Sequence, residues 1–193
     1  MDWERPLIYK EITEVYIVNH EKFFTKEGVK KVLSEVENLQ PMKAAVSSGM
    51  REDYRKVTAR NFGTGYDWLL DPITETIAEA NKQWGFDIVG IAEDLQYLVY
   101  KEGDKYDRHL DLHIGDLSKD IPNRKITFII QLSDSASYEG CDLMLDGGIK
   151  GDAIPRGIGD LIMFPSWLAH WDDPCIKGER HSIVGWVAGP HWR

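Results

Sequence analysis

The run Lys125-Ile126-Thr127-Phe128-Ile129-Ile130-Gln131-Leu132 (KITFIIQL) decides the fold class. It is too dense in β-branched and aromatic residues for a half-solvated strand, and reads as one buried on both faces. Downstream, Asp142–Asp146 and Ile149 flank Gly147-Gly148, a pair suited to a hairpin turn. Strand-like runs follow at Asp160–Phe164, Leu168–Asp172 and His181–Ala188, punctuated by Pro165, Pro174 and Gly178. Upstream, Leu95–Tyr100 is a further strand.

The first half holds the helices. Thr25 can cap a helix over Lys26–Asn38, with Val29, Val32, Leu33 and Val36 on one face. Asp71-Pro72 opens a second, with proline at the first helical position and Ile73, Ile77, Ala80 and Trp84 on its apolar side. Between them Pro41–Gly65 is polar and Gly-containing, partly strand and partly loop, and is a candidate lid. Short strands after two helices predict a mainly β fold, a sandwich or barrel buttressed by helices.

No repeat, low-complexity tract or linker divides the 193 residues, so one domain over 1–193 is expected. The charge of −9 repels polyanions, and Arg51–Arg60, the one basic run, also holds Glu52 and Asp53 and reads as a solvated loop. Nucleic acid is therefore not an expected partner. Neither is a membrane, since no apolar stretch approaches spanning length and the amino terminus lacks a signal pattern. A cytosolic chain is expected, and two cysteines, Cys141 and Cys175, give no disulfide framework there.

The chemistry centres on His109-Leu110-Asp111. On an extended backbone, residues two apart share a face, so imidazole and carboxylate can grip one ion. His170, on a later strand, supplies a second imidazole. Two histidines and one carboxylate leave positions open on a six-coordinate metal, the set used by non-haem Fe(II) oxygenases. Alone, His-x-Asp is as readily a solvated loop. Ten residues after His170 comes Arg180, then Ser182 on the same strand face, with Val184 and Trp186 in parity. An arginine aimed into a β-core needs an anionic partner. The far carboxylate of 2-oxoglutarate is one, and a surface pair with Glu179 or an Asp is the alternative.

Tyr97–Asp111 (YLVYKEGDKYDRHLD), Arg124–Leu145 (RKITFIIQLSDSASYEGCDLML) and Gly157–Arg193 (GIGDLIMFPSWLAHWDDPCIKGERHSIVGWVAGPHWR) together resemble the prolyl-4-hydroxylase-like Fe(II)/2-oxoglutarate dioxygenases, in particular the PKHD-type group and its phage-encoded members. The resemblance implies a double-stranded β-helix (jelly-roll) core over roughly 95–193, with helical support over roughly 1–94. It implies iron on His109, Asp111 and His170, with Arg180 on the 2-oxoglutarate tail. Tyr100 and Ser182 are implied as further cosubstrate donors, and Tyr106 and Trp186 as pocket walls. The implied reaction uses Fe(II), 2-oxoglutarate and O2, with ascorbate as a reductant. It hydroxylates a C–H bond, of a prolyl residue in a peptide or protein or of a small molecule, and releases succinate and CO2. One departure stands out: after Tyr-Glu the family usually has Gly-Gly, and this chain has Gly140-Cys141, where a packing role is expected for the cysteine.

His113 forms His-x-x-x-His with His109, which suits zinc on a helix, but Gly115 and the strand-like context oppose a helix. His181 should face the opposite side of its strand from Arg180, and His20 and His191 belong on the surface. Trp171 is expected in the core, and Asn123-Arg124 is given no catalytic role. Two rivals remain: a non-catalytic metal-binding jelly roll, and a zinc hydrolase on His109, His113 and His170. No feature specifies an oligomer.

Overall fold

The computed structural model describes residues 17–44, 51–91, 93–112, 123–146 and 152–191. The elements are β1 (Val18–His20), α1 (Lys26–Val36), β2 (Met42–Lys43), β3 (Arg55–Lys56), β4 (Thr58–Phe62), α2 (Asp67–Trp84), β5 (Gly90–Ile91), β6 (Leu95–Tyr100) and β7 (Lys105–His109). They continue with β8 (Asn123–Gln131), β9 (Tyr138–Gly140), β10 (Leu143–Leu145), β11 (Asp152–Ala153), β12 (Leu161–Pro165), β13 (His170–Asp172), β14 (Cys175–Gly178) and β15 (Arg180–Gly189). The larger sheet runs β1-β12-β8-β15-β6-β4-β2, with β5 also on β15; the smaller runs β11-β10-β13-β7-β3, and β14 pairs with β9. This is a jelly-roll core with two helices against it.

Strand parity explains the two layers. In β8, Ile126, Phe128 and Ile130 join Leu95, Tyr97, Val99, Ile183 and Val187 and the apolar stripes of α1 and α2 in one cluster. The alternate residues Leu98, Tyr100, Ile129, Val184 and Trp186 face the second cluster, with Leu143 and Leu145 of the smaller sheet. Both faces of KITFIIQL are buried, because the larger sheet lies between helices and smaller sheet. Strands β1, β2 and β4, from the first 94 residues, also belong to the larger sheet.

Helix α1 follows its pattern: the Thr25 hydroxyl accepts from Gly28 N at 3.1 Å, and Val29, Val32 and Val36 are buried. Helix α2 corrects the expectation. It begins at Asp67, so Pro72 sits inside it rather than at its first position. Leu69 is fully buried and Leu69 N and Leu70 N both donate to Tyr66 O, so packing extends the helix across the turn that proline was expected to open.

The run Arg51–Arg60 is also corrected. It holds β3 and most of β4, and Arg55 is buried with its guanidinium 4.6 Å over the Tyr106 ring. The Pro41–Gly65 segment is partly strand, holding β2, β3 and β4, and residues 45–50 lie outside the described residues. So do Gly147-Gly148, Ile149 and His113.

Cys141 and Cys175 are disulfide-bonded, against the expectation of two separate thiols. Antiparallel pairing of β14 with β9 sets Cys175 opposite Gly140, which brings the neighbouring sulfur within bonding reach. Cys141 has φ of 54°, a left-handed conformation that favours glycine, at the position where the resemblance has its second glycine. Trp171, expected in the core, is half-buried, and its Nε1 donates to Asp173 Oδ1 at 3.0 Å. No described helix is long and apolar enough to cross a membrane.

Candidate active site

His109 ends β7 and His170 opens β13, and the two are Cα partners in the ladder between those strands. Asp111 lies just past β7, held by its N–H on Ser166 O at 3.1 Å. His109, Asp111 and His170 each present a ligand atom within 4.8 Å of the others. His109 Nε2 is 3.6 Å from Asp111 Oδ1, and His170 Nε2 is 3.3 Å from Asp111 Oδ2. Each Nδ1 meets a backbone carbonyl, Asp107 O at 2.8 Å and Leu168 O at 3.1 Å. An Nδ1–H donated there leaves the Nε2 lone pair for a metal.

The surroundings are dry and charged. Burial, then His170, pushes His109 down to about 4. Burial would raise Asp111, but His170, His109 and Arg124 together hold its carboxyl well below the usual range. His170 is raised: burial opposes this, and Asp111 outweighs burial. The Thr127 hydroxyl donates to Asp111 Oδ2 at 2.8 Å and lies 3.0 Å from Ser166 Oγ. Tyr106 stacks on His109 with ring centroids 3.6 Å apart, and Phe164 meets His170 edge-on.

The predicted residues converge. Tyr100, Tyr106, Arg180, Ser182 and Trp186 line the same cavity as the three ligand candidates. Their arrangement differs from the expectation in one respect. Arg180, 1% exposed, finds its anion inside the protein: Nη1 donates to Asp172 Oδ1 at 2.6 Å and Nε to Gln131 Oε1 at 3.1 Å. The Tyr100 hydroxyl donates to Asp172 Oδ2 at 2.6 Å. Burial, then the Asp172 charge, raises the Tyr100 phenol far above its ordinary value, so it stays a neutral donor.

Asp172, Gln131, Thr127 and Arg55 were not singled out by sequence as site residues, and Arg124 was given no catalytic role. Arg124 Nη1 lies 3.8 Å from Asp111 Oδ1, and its guanidinium lies 3.7 Å over the Trp186 ring, so it bears on the site's charge. Asp172, Gln131 and Thr127 could have been found by strand parity, being two residues from His170 or on the Ile129 face of β8. His181 turns the other way as expected and bonds Tyr97; His20 and His191 are exposed.

The model of the 2OG-Fe(II) oxygenase superfamily matches residues 95–188, a stretch holding His109, Asp111, His170, Tyr100, Arg180 and Ser182 but not Arg55. That stretch is just under half of the chain, and over it the chain resembles that superfamily. Its curated relatives include the PKHD-type hydroxylase of Idiomarina loihiensis, 31% identical over 88 residues, covering 46% of this chain and 38% of the relative. The chain thus matches about two fifths of such a relative's length. A Pseudomonas putida prolyl-4-hydroxylase structure superposes with TM-score 0.72 at 18% identity, covering 94% of this chain and 96% of that one. A Trichoplax adhaerens prolyl hydroxylase, solved with a peptide fragment of hypoxia inducible factor, gives 0.73 at 18%, covering 92% and 86%. Both superpositions show the shared jelly-roll fold.

The superfamily implies Fe(II), 2-oxoglutarate and O2, and the residues can be tested against them. Two neutral imidazole nitrogens and one carboxylate suit Fe(II) with open positions. Arg180 has five N–H donors, of which Asp172 and Gln131 account for two, so donors remain for a second acid. Both groups fit.

Proposed function

We propose that the chain is a single-domain Fe(II)- and 2-oxoglutarate-dependent dioxygenase that hydroxylates a C–H bond of a prolyl residue in a peptide or protein. Succinate and CO2 are the coproducts, and the site of action is the cytosol. The observation carrying this reading is that His109, Asp111 and His170 converge in one cavity with Arg180 and Tyr100. When bound, iron and 2-oxoglutarate supply the O2-dependent C–H hydroxylating chemistry.

The chain's own residues do the rest. His109, Asp111 and His170 hold the metal, and their carbonyl and hydroxyl partners fix the rotamers. Arg180, with Tyr100 and Ser182 beside it, receives the far carboxylate of the cosubstrate. Leu98, Ile129 and Val184 wall the cavity and exclude water. Tyr106 and Asp172 border both this cavity and an open depression lined by Arg108, Trp171 and Pro174, which is the proposed peptide seat. Prolyl chemistry is favoured by the PKHD-type relatives and by a neighbour of the same fold solved with a peptide.

A second reading, a metal-binding jelly roll without catalysis, draws on one observation. Asp172 gives Arg180 an internal anion, so a buried arginine no longer demands an external one. Anaerobic addition of Fe(II) and 2-oxoglutarate, watching for the weak visible charge-transfer band, separates the two. Air is then admitted and succinate measured. The oxygenase gives band and succinate, both lost in His170→Ala. Metal uptake with neither signal establishes the second reading.

A further inference from the structure

Arg124 has two carboxylates within its reach. Its Nε donates to Glu93 Oε1 at 2.6 Å and its Nη2 to Glu93 Oε2, a fork-to-fork pair. The third nitrogen, Nη1, lies 3.8 Å from Asp111 Oδ1. That separation is about 1 Å too long for a hydrogen bond. The guanidinium also lies 3.7 Å over the Trp186 ring. Glu93 along one edge and Trp186 across one face therefore fix the plane of the guanidinium, and it stops short of a metal-ligand candidate.

The gap matters because of what Asp111 has to do. Its Oδ2 accepts from the Thr127 hydroxyl at 2.8 Å, and its Oδ1 is the oxygen that Arg124 approaches. A guanidinium closed onto Oδ1 would make a charge-assisted bond to the carboxylate that a divalent ion also needs. It would also set one cation against another where little water screens them. Glu93 is well placed to prevent this. Its side chain is 38% exposed against 15% for Arg124, so water supports its charge at the rim while the fork reaches inward. The backbone of Arg124 is fixed in β8 opposite Ala188, which leaves the side chain as the part that can turn. Glu93 lies before the stretch matched by the superfamily.

We infer that Glu93 is a positioning residue, which holds Arg124 off Asp111 and so keeps that carboxylate available to the metal. This inference rests on the metal site of the oxygenase reading above. Glu93 and Asp111 compete for one guanidinium, and the bidentate partner at the rim wins. Without Glu93, Arg124 turns its free edge onto Asp111 and opposes the ion. A direct role, in which Glu93 attracts the ion by its own charge, would need no arginine, and that separates the two accounts.

The test is calorimetric titration of Mn(II) into the metal-free full chain, for wild type, Glu93→Gln, Arg124→Gln and the double variant. Melting curves without metal show that each variant is folded. Glu93→Gln should weaken Mn(II) about tenfold or more, the scale of losing a group that supports a metal ligand. Arg124→Gln should bind at least as tightly as wild type, and the double variant should match Arg124→Gln, since no guanidinium is left to hold. If Glu93→Gln melts too low to titrate, Glu93→Asp keeps the charge on a shorter stem and should still weaken Mn(II). Wild-type affinity in the Glu93 variant titrated overturns the inference. So does a loss in Arg124→Gln as large as that in the Glu93 variant, which would make the pair a prop for the fold. A Glu93→Gln loss that persists undiminished in the Arg124→Gln background also overturns it, in favour of the direct role. Each of these three leaves the oxygenase reading standing, whereas a wild type that takes up no Mn(II) overturns both.

Discussion

His109 and His170 face each other directly across the β7–β13 ladder, their ring centroids 4.2 Å apart. A metal held by both would cross-link two strands of the smaller sheet, so ion binding and strand pairing should be coupled. Saturating Mn(II) at a hundred times its dissociation constant should stabilise the fold by about 2.7 kcal/mol. His170→Ala should bind Mn(II) far more weakly and show almost none of this shift. Differential scanning calorimetry with and without the ion measures it; an undiminished shift in the variant would place the ion elsewhere.

The same pair sets a pH signature. His170 is raised above its ordinary 6.5 by Asp111 against the opposing effect of burial. A raised histidine stabilises the metal-free fold fully below its unfolded value, and the contribution is lost as pH rises through the folded value. His109 runs the other way, held down to about 4 from 6.5 by burial and then by His170. The unfolded chain takes that proton first, so stability falls as pH drops from 6.5 toward 4. The depressed Asp111 adds stability that is lost at still lower pH. Metal-free protein should therefore melt highest near pH ~6.5 and lower on both sides. Metal affinity should increase with pH through the upper window, because the ion competes with the His170 proton. A melting profile flat from pH 5 to 8 would contradict these shifts.

Thr127→Val removes the hydroxyl that donates to Asp111 Oδ2 while keeping the side chain's shape. Thr127 is fully buried, so no water replaces the donor easily. We expect a stability loss of about 1–3 kcal/mol and a metal affinity lower by about 10–100-fold, with Thr127→Ser largely restoring both. Isothermal titration with Mn(II) decides it; wild-type affinity in Thr127→Val would mean that Asp111 needs no such support.

Much of this site was legible in the sequence, and the unread parts share a cause. The parity of Arg180, Ser182, Val184 and Trp186 gave the inward face of β15, because an unbroken strand alternates strictly. Tyr106 and His109 are three apart, an odd spacing that should put them on opposite faces. A register shift opposes His170 to His109 but Asp172 to Tyr106, giving β7 one extra residue and bringing the two rings into a stack. Arg55 hid in a run whose charges looked solvated, since local composition does not show that β3 will pair beside the cavity. The Pro72 helix start failed for a similar reason: Leu69 packs into a core that no local signal announces.

The disulfide gives the last test, and one in which backbone and cross-link can be separated. Cys141 and Cys175 are 34 residues apart, for which the chain-entropy account gives about 3–4 kcal/mol. Cys175 N also donates to Asp104 O, and Cys175 O accepts from Gly103 N, so the bond pins the segment that follows Asp172. Reduction should lower the melting temperature and leave two titratable thiols. Cys141→Ser and Cys141→Gly both lose the bond, but only serine keeps a Cβ at φ of 54°. The glycine variant should accordingly be the more stable of the two, by up to about 1 kcal/mol. Urea melts of both variants and of reduced wild type measure the difference. If the serine and glycine variants melt alike, the left-handed backbone at Cys141 carries no strain; if both match oxidised wild type, the cross-link contributes nothing to the fold.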